Sequence, residues 1–389
     1  MAKAENPPIE VGGVYINPGE RRRLEIPVGQ LPTGTGLSLP IVVVNGRKPG
    51  PTAWISAAVH GDEVNGVEII GGVLEQITPK DLAGCLITVP IVNVFGFNAQ
   101  SRYLPDRRDL NRSFPGSERG SLAARIAFLF MQEVVRKCQF GIDLHTGSNH
   151  RTNLPQVRAN LHDDQTRELA EAFAAPVIMH AAAIDGSLRK AATDVGARTI
   201  VFEAGEPLRF DRAAIALGRD GVLRVLAALG MLKSAPRKKG PHSALIAKTT
   251  WVRAVNSGIL RLDAQLGAAV TARQQLGLVA DAFGEDAARL SWRRKMASSS
   301  ATRTTRSCNK AKRCCTSPRW RPKALRLGCR RSKSTRGDGA SHESHRLCRW
   351  TRSKLLHRPS RWLSLDRSAP TATSGVRIPI RLPWPRGRR

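Results

Sequence analysis

The chain has 389 residues and carries 62 Lys+Arg against 31 Asp+Glu, a formal +31. Residues 291–389 hold 28 of the basic and 3 of the acidic residues, which leaves 34 and 28, a net of +6, to residues 1–290; the charge therefore does not by itself make the whole protein a nucleic-acid binder. The body contains only Cys85 and Cys138, so a disulfide framework is not indicated and a reducing compartment fits, and about 290 residues suffice for one large domain and a smaller one.

In chain order, residues 1–36 are Gly- and Pro-rich and read as an N-terminal arm or edge strands, with a strand-like piece at Glu25 to Val28. Leu37 to Asn45 (LSLPIVVVN) is a clearer strand, and the apolar run Ile55 to Val59 is a second one, ending at the polar turn His60-Gly61-Asp62-Glu63. Val64 to Ile77 has helical spacing. Cys85 to Val94 reads as a strand, Gly96 to Glu118 as a polar loop, and Ser121 to Lys137 as a helix with a Ser cap. Phe140 to Leu144 is a short strand ending at His145. Helical pieces at Thr166 to Phe173, Leu188 to Val195 and Ala213 to Leu229 alternate with strands at Pro176 to His180 and Thr199 to Phe202, the latter ending at Glu203. This alternation predicts an α/β fold with a mixed, largely parallel central sheet flanked by helices.

His60, Glu63, His145 and Glu203 thus stand at the C-terminal ends of predicted strands, where ligand crevices of α/β sheets form. Two His and one Glu leave a fourth position of a tetrahedral zinc site open, which is the composition of a catalytic rather than a structural centre. A zinc-bound water would be acidified, and Glu203 is placed to take its proton and return it to a leaving amine. Asp143 lies two residues before His145 on the same side of its strand, in position to hydrogen-bond a ligand imidazole. The loop Ser101 to Gly116 is rich in guanidinium groups, and Asn111 with Arg112 offers an amide and a fork suited to a carboxylate.

Together HGDE, DLNRSFPG, DLHTG and FEAGE resemble the succinylglutamate desuccinylase and aspartoacylase family, related to the zinc carboxypeptidases. The resemblance spans roughly residues 40 to 283. It implies a zinc carboxypeptidase-like fold and an amidohydrolase with one zinc per chain, acting on a small anionic N-acyl amino acid or related N-acylated amine. By position, His60, Glu63 and His145 match the zinc ligands and Glu203 the general base. Arg102 matches the arginine that polarises the scissile carbonyl, and Asn111 and Arg112 match the pair that binds the substrate carboxylate. A zinc carboxypeptidase acting on peptides is the alternative within catalysis.

Other polar residues have plainer readings. Arg107 and Arg108 read as solvated loop charges, His150, His162 and His180 as structural or surface histidines, and Asp62 as a turn or supporting group. Glu206 lies beyond the strand end, so Glu203 is the better base.

Four segments follow from composition: the arm at 1–36, a zinc-dependent catalytic domain at 37–232, a partial β barrel or hammerhead-like module at 233–290, and a tail at 291–389. In the third, WVRAV, SGILRL, AAVTA and LGLVA read as short strands, and the second half of such a module does not follow. The tail lacks strand or helix periodicity and is read as disordered. It also holds five of the seven Trp and five of the seven Cys, unlike a functional disordered arm. A reading-frame shift accounts for it better than a nucleic-acid-binding arm, the non-catalytic alternative for this protein. No window approaches the roughly 18 to 20 apolar residues of a membrane span, and MAKAENPPIEVGG has no apolar signal core. A cytoplasmic enzyme is expected, with no membrane partner and its oligomeric state open.

Overall fold

The computed structural model describes residues 5–237, 242–284 and 287–291. β1 (Ile9–Val11) and β2 (Val14–Ile16) form a small antiparallel hairpin. The main sheet is then built from β3 (Arg21–Gln30), β4 (Gly36–Asn45), β5 (Lys48–Ala57), β6 (Ala83–Val89), β7 (Phe140–His145), β8 (Asn153–Ala159), β9 (Val177–His180), β10 (Arg198–Gly205) and β11 (Ala244–Ile246). Between them run α1 (Asn65–Leu74), α2 (Val94–Asn98), α3 (Leu122–Glu133), α4 (Asp164–Phe173), α5 (Leu188–Asp194) and α6 (Arg212–Ala228). The strand order is β11-β9-β8-β10-β7-β5-β6-β4-β3. The pairs β11–β9, β9–β8, β10–β7, β7–β5 and β5–β6 are parallel, and the other three are antiparallel. The fold is the mixed, largely parallel α/β sheet flanked by helices that the alternation of elements predicts.

Side chains alternate across a strand, so each strand feeds two layers. Ile55, Ile142, Ile200, Phe202, Val157 and Ile178 point to one face and pack beneath α1, α4 and α6. Trp54 and Ile87 point to the other face, against Phe130 and Met131 of α3 and Ala191 and Ala192 of α5. Trp54 is fully buried and lies across Gly141, where an added Cβ would sit 2.1 Å from the indole. A glycine at that point of β7 is what lets the ring cross the neighbouring strand.

Downstream, β12 (Ile259–Leu262), β13 (Gln275–Ala280) and β14 (Ala288–Ser291) form a three-stranded antiparallel sheet. Strands occur where SGILRL and LGLVA predict them, but Trp251–Val255 and Ala268–Ala272 are not strands; Trp251, Val252 and Val270 instead line the crevice that also holds His60, Glu63 and His145. β11, within the linker region, adds to the edge of the main sheet by pairing with β9. The tail beyond Ser291, with its Trp and Cys residues, lies outside the described residues, as do residues 238–241 of the linker. No helix among the described residues is long and apolar enough to cross a membrane.

Candidate metal centre and substrate crevice

β5 ends at Ala57 because the chain turns left-handed at Ala58 (φ 47°). The turn that follows is closed by Glu63 N donating to His60 O at 3.1 Å. Gly61 sits hard against α2: a Cβ there would meet the Gly96 carbonyl carbon at 1.9 Å. The turn thereby directs His60 and Glu63 to the same point, and β7 brings His145 there from the neighbouring strand, paired with β5 in parallel register.

His60, Glu63 and His145 are all buried, and their ligand atoms lie within 4.8 Å of one another; no other such group of three occurs among the described residues. His60 Nδ1 is 2.8 Å from Glu63 Oε1 and His145 Nδ1 is 2.7 Å from Glu63 Oε2. The far nitrogens face carboxylates as well: His145 Nε2 lies 2.7 Å from Asp143 Oδ2, and His60 Nε2 lies 3.3 Å from Asp109 Oδ1, at ion-pair distance but out of line for a hydrogen bond. Asp143 is itself held by the Ser56 hydroxyl, which donates to Oδ1 at 2.8 Å.

These contacts test whether the residues fit a metal ion. The hydrogen bond between Asp143 and His145 Nε2 favours the tautomer with its proton there, which leaves the His145 Nδ1 lone pair aimed at Glu63, while His60 Nδ1 faces the other oxygen of the same carboxylate. Three electron-pair donors that converge in a buried site need a cation between them, and two imidazoles with one carboxylate form a donor set suited to zinc. In the metal-free chain a proton takes that role. Burial disfavours a charged His145, but Asp143 and Glu63 on either side hold its pKa well above the ordinary imidazole value. Burial likewise acts to raise Glu63, yet the two histidines keep its carboxyl well below the usual range.

The loop between α2 and α3 closes the site. Asp109, absent from the sequence-level site, is its hub: it accepts from Arg102 Nη2 at 2.8 Å, faces His60, and accepts from Asn111 N at 2.9 Å. Burial opposes its charge, but His60 and Arg102 hold its carboxyl far below the usual range. Arg102 Nη1 lies 3.7 Å from Glu63 Oε1, which places the guanidinium beside the ligand cluster. Asn111 Oδ1 accepts from Leu188 N at 2.9 Å, which docks the loop on α5. Arg112 is exposed and lines the crevice; its Nη1 donates to Asn111 O.

Glu203 lies beside His145 in the β10–β7 register and lines the same crevice. Its carboxylate is turned toward β8: Asn153 Nδ2 donates to Oε2 at 2.7 Å, and Arg158 Nε lies 3.0 Å from Oε1. Gln156 Nε2 is at 3.5 Å. These β8 residues, like Asp109, are not in the sequence-level site. The alternation Gln156-Val157-Arg158 carries a strand signal, but Pro155 beside it argues against an interior strand. The β10 register shift opposite, between Glu203 and Gly205, is the irregularity beside which Pro155 sits in a two-sided strand. Glu206 accepts from the Thr152 hydroxyl at 3.1 Å and pairs with Arg209, while Asp62 accepts from the Ser148 hydroxyl at 3.3 Å. Burial first, and then neighbouring Glu63, raise the pKa of Asp62.

The crevice has a volume of about 350 Å³. Its cationic lining includes Arg102, Arg112, Arg158, Arg189 and Lys248. Arg189 donates to Ala181 O and Ala182 O at 2.9 and 2.8 Å. Burial, with Arg158 alongside, lowers its pKa to about 10. A crevice so lined is suited to anions.

Residues 49–229 match the model of the succinylglutamate desuccinylase/aspartoacylase catalytic domain. A curated relative, the N-alpha-acetyl-L-2,4-diaminobutyric acid deacetylase of Halomonas elongata, is 28% identical over 270 residues, 66% of this chain and 79% of the relative. Among solved structures, a succinylglutamate desuccinylase/aspartoacylase from Rhodobacter sphaeroides has a TM-score of 0.64 at 23% identity, covering 72% of this chain and 90% of that one. The product-bound ectoine utilization protein EutE (DoeB) from Ruegeria pomeroyi has a TM-score of 0.65 at 24% identity, covering 75% and 92%. At that identity the structural likenesses are likenesses of fold.

Proposed function

We propose that this chain, whose residues 49–229 match the succinylglutamate desuccinylase/aspartoacylase catalytic domain, is a member of that family and a zinc-dependent deacylase hydrolysing the amide bond of a small, anionic N-acyl amino acid. The observation that carries this reading is the convergence of both imidazole Nδ1 atoms on the two oxygens of Glu63, each ring backed by a carboxylate. The relative from Halomonas elongata, a deacetylase of an N-acetylated amino acid, supports the reaction class. When bound, zinc would supply a Lewis acid and lower the pKa of a water molecule toward neutrality.

The chain's own residues do the rest. His60, Glu63 and His145 would hold the ion, with Asp143 orienting the His145 imidazole from behind and Asp109 facing that of His60. Glu203 accepts a proton from the attacking water and delivers it to the departing amine, a general base turned general acid. To do so its carboxylate must exchange its contacts with Asn153 and Arg158 for the reacting groups. Arg102 stabilises the charge that develops on the scissile carbonyl oxygen, and Asn111 with Arg112 holds the substrate carboxylate. Residues 37–232 form the catalytic unit in this reading, and segment 233–290 completes the crevice wall. A cytoplasmic setting is supported by the two buried free thiols, Cys85 and Cys138.

The test is metal content and amine release from acetylated and succinylated amino acids, measured on one preparation beside His145→Ala. One zinc per chain with turnover, both lost in the variant, is the expected result. A wild-type protein purified with zinc present that retains none would overturn the reading.

A further inference from the structure

The crevice is longer than a small N-acyl amino acid requires. Asp143, Val201, Arg158, Met179 and Ile246 are successive cross-strand partners on β7, β10, β8, β9 and β11, and all five line it. Directly paired residues point to the same face, so they form one continuous floor. With neighbouring strands about 4.8 Å apart, four steps carry that floor about 19 Å from the ligand-bearing strand. An acetylated amino acid, about two peptide units long, spans roughly 7 Å.

Chemistry changes along the floor. The metal end is ionic. At the centre Arg158 turns its charge to Glu203, so its alkyl stem is what it offers along the row. The far end is apolar, with Met179 and Ile246 packed together between β9 and β11. The walls are mixed: Ile184, 55% exposed, Val252 and Leu276 line the crevice with apolar surface, beside the cationic Arg189 and Lys248. Ile184 is therefore an apolar group open to the crevice rather than part of the core.

Resting on the deacylase reading above, we propose that the substrate carries an apolar arm of several carbons, lying along β8, β9 and β11, and that Ile184, Met179, Ile246 and Val252 select it. Hydrolysis adds water across the amide: the C–N bond breaks, the acyl carbon becomes a carboxylate and the nitrogen an ammonium. The arm takes no part in that chemistry and belongs either to the acyl group or to the amino-acid side chain.

The experiment measures amine release by the full-length, zinc-loaded chain on two series that share N-acetylglycine. One lengthens the acyl group through N-hexanoyl- to N-decanoylglycine; the other enlarges the side chain through N-acetylleucine to N-acetylphenylalanine. Burial of each methylene is worth about fourfold, so kcat/KM should rise by about tenfold or more along one series, and the series that rises identifies which half bears the arm. Ile184→Asp and Val252→Asp should each flatten that rise; a slope unchanged in both would overturn the assignment to this wall. Turnover of N-acetylglycine with no rise in either series would overturn the inference and leave the deacylase reading standing. Zinc bound at one per chain with no amine from any compound would overturn both.

Discussion

His145 is the residue at which metal, proton and stability meet. In the metal-free chain it lies between Asp143 and Glu63, which raise its pKa well above 6.5. The stability this adds is fully present below the unfolded-state pKa and is lost as pH rises through the raised folded value. Zinc requires the Nδ1 lone pair, so binding at neutral pH must expel that proton. Calorimetry in two buffers of different ionisation enthalpy should show about one proton released per zinc, with affinity falling as pH is lowered. Equal heats in both buffers would mean that His145 is already neutral. Asp109 is the second residue with a checkable consequence, since it faces His60 and grips Arg102 at once. Asp109→Asn should weaken zinc about 10- to 100-fold, the usual cost of losing a partner behind a ligand histidine, and should lower kcat as Arg102 loses its anchor. Unchanged zinc affinity would make Asp109 a loop brace only.

Among the elements, the HGDE turn bears two of the proposed ligands and is fixed by a backbone contact that only glycine permits. In Gly61→Ala the new methyl would lie 1.9 Å from the Gly96 carbonyl carbon, so turn or helix must shift. Overpacking of this kind costs about 1–3 kcal/mol, and the displaced His60 and Glu63 should lose zinc under conditions where the sheet remains folded. Zinc titration beside far-ultraviolet dichroism measures the two separately. A variant that binds zinc as the wild type does would show that the contact is relieved elsewhere. Much of this architecture was legible in the sequence for a simple reason: β5, β7 and β10 are apolar runs that lead into polar residues of the candidate site, a period and a punctuation readable locally. β8 was not legible. Its crevice face is polar, it contains Pro155, and it owes its interior place to its pairing with β10 and β9, which are distant in sequence. The partners of Glu203 were hidden with it. Asp109 was hidden differently, because the DLNR turn reads equally well as a solvated loop until His60 and Arg102 are seen on either side of it.

At the scale of the whole molecule, the question is which part of the chain the crevice needs. Trp251, Val252, Val270 and Leu276 line it, and β14 ends at Ser291, so every wall described above lies before the strongly basic tail. That tail, with 28 basic and 3 acidic residues from position 291 onward, should govern only non-specific electrostatic behaviour, because a dense positive charge binds polyanions through counterion release whatever the catalytic unit does. A chain stopped after Ser291 should therefore keep its zinc stoichiometry, its Tm and its kcat/KM, while its retention on an immobilised polyanion falls and loses most of its dependence on salt. A chain stopped after Leu232 should behave oppositely. It loses β11, and with it Ile246 from the crevice floor, so its activity and Tm should drop together. Loss of Tm or of turnover in the chain ending at Ser291 would overturn this division and make the tail a structural partner of the catalytic unit, which the charge count alone gives no reason to expect.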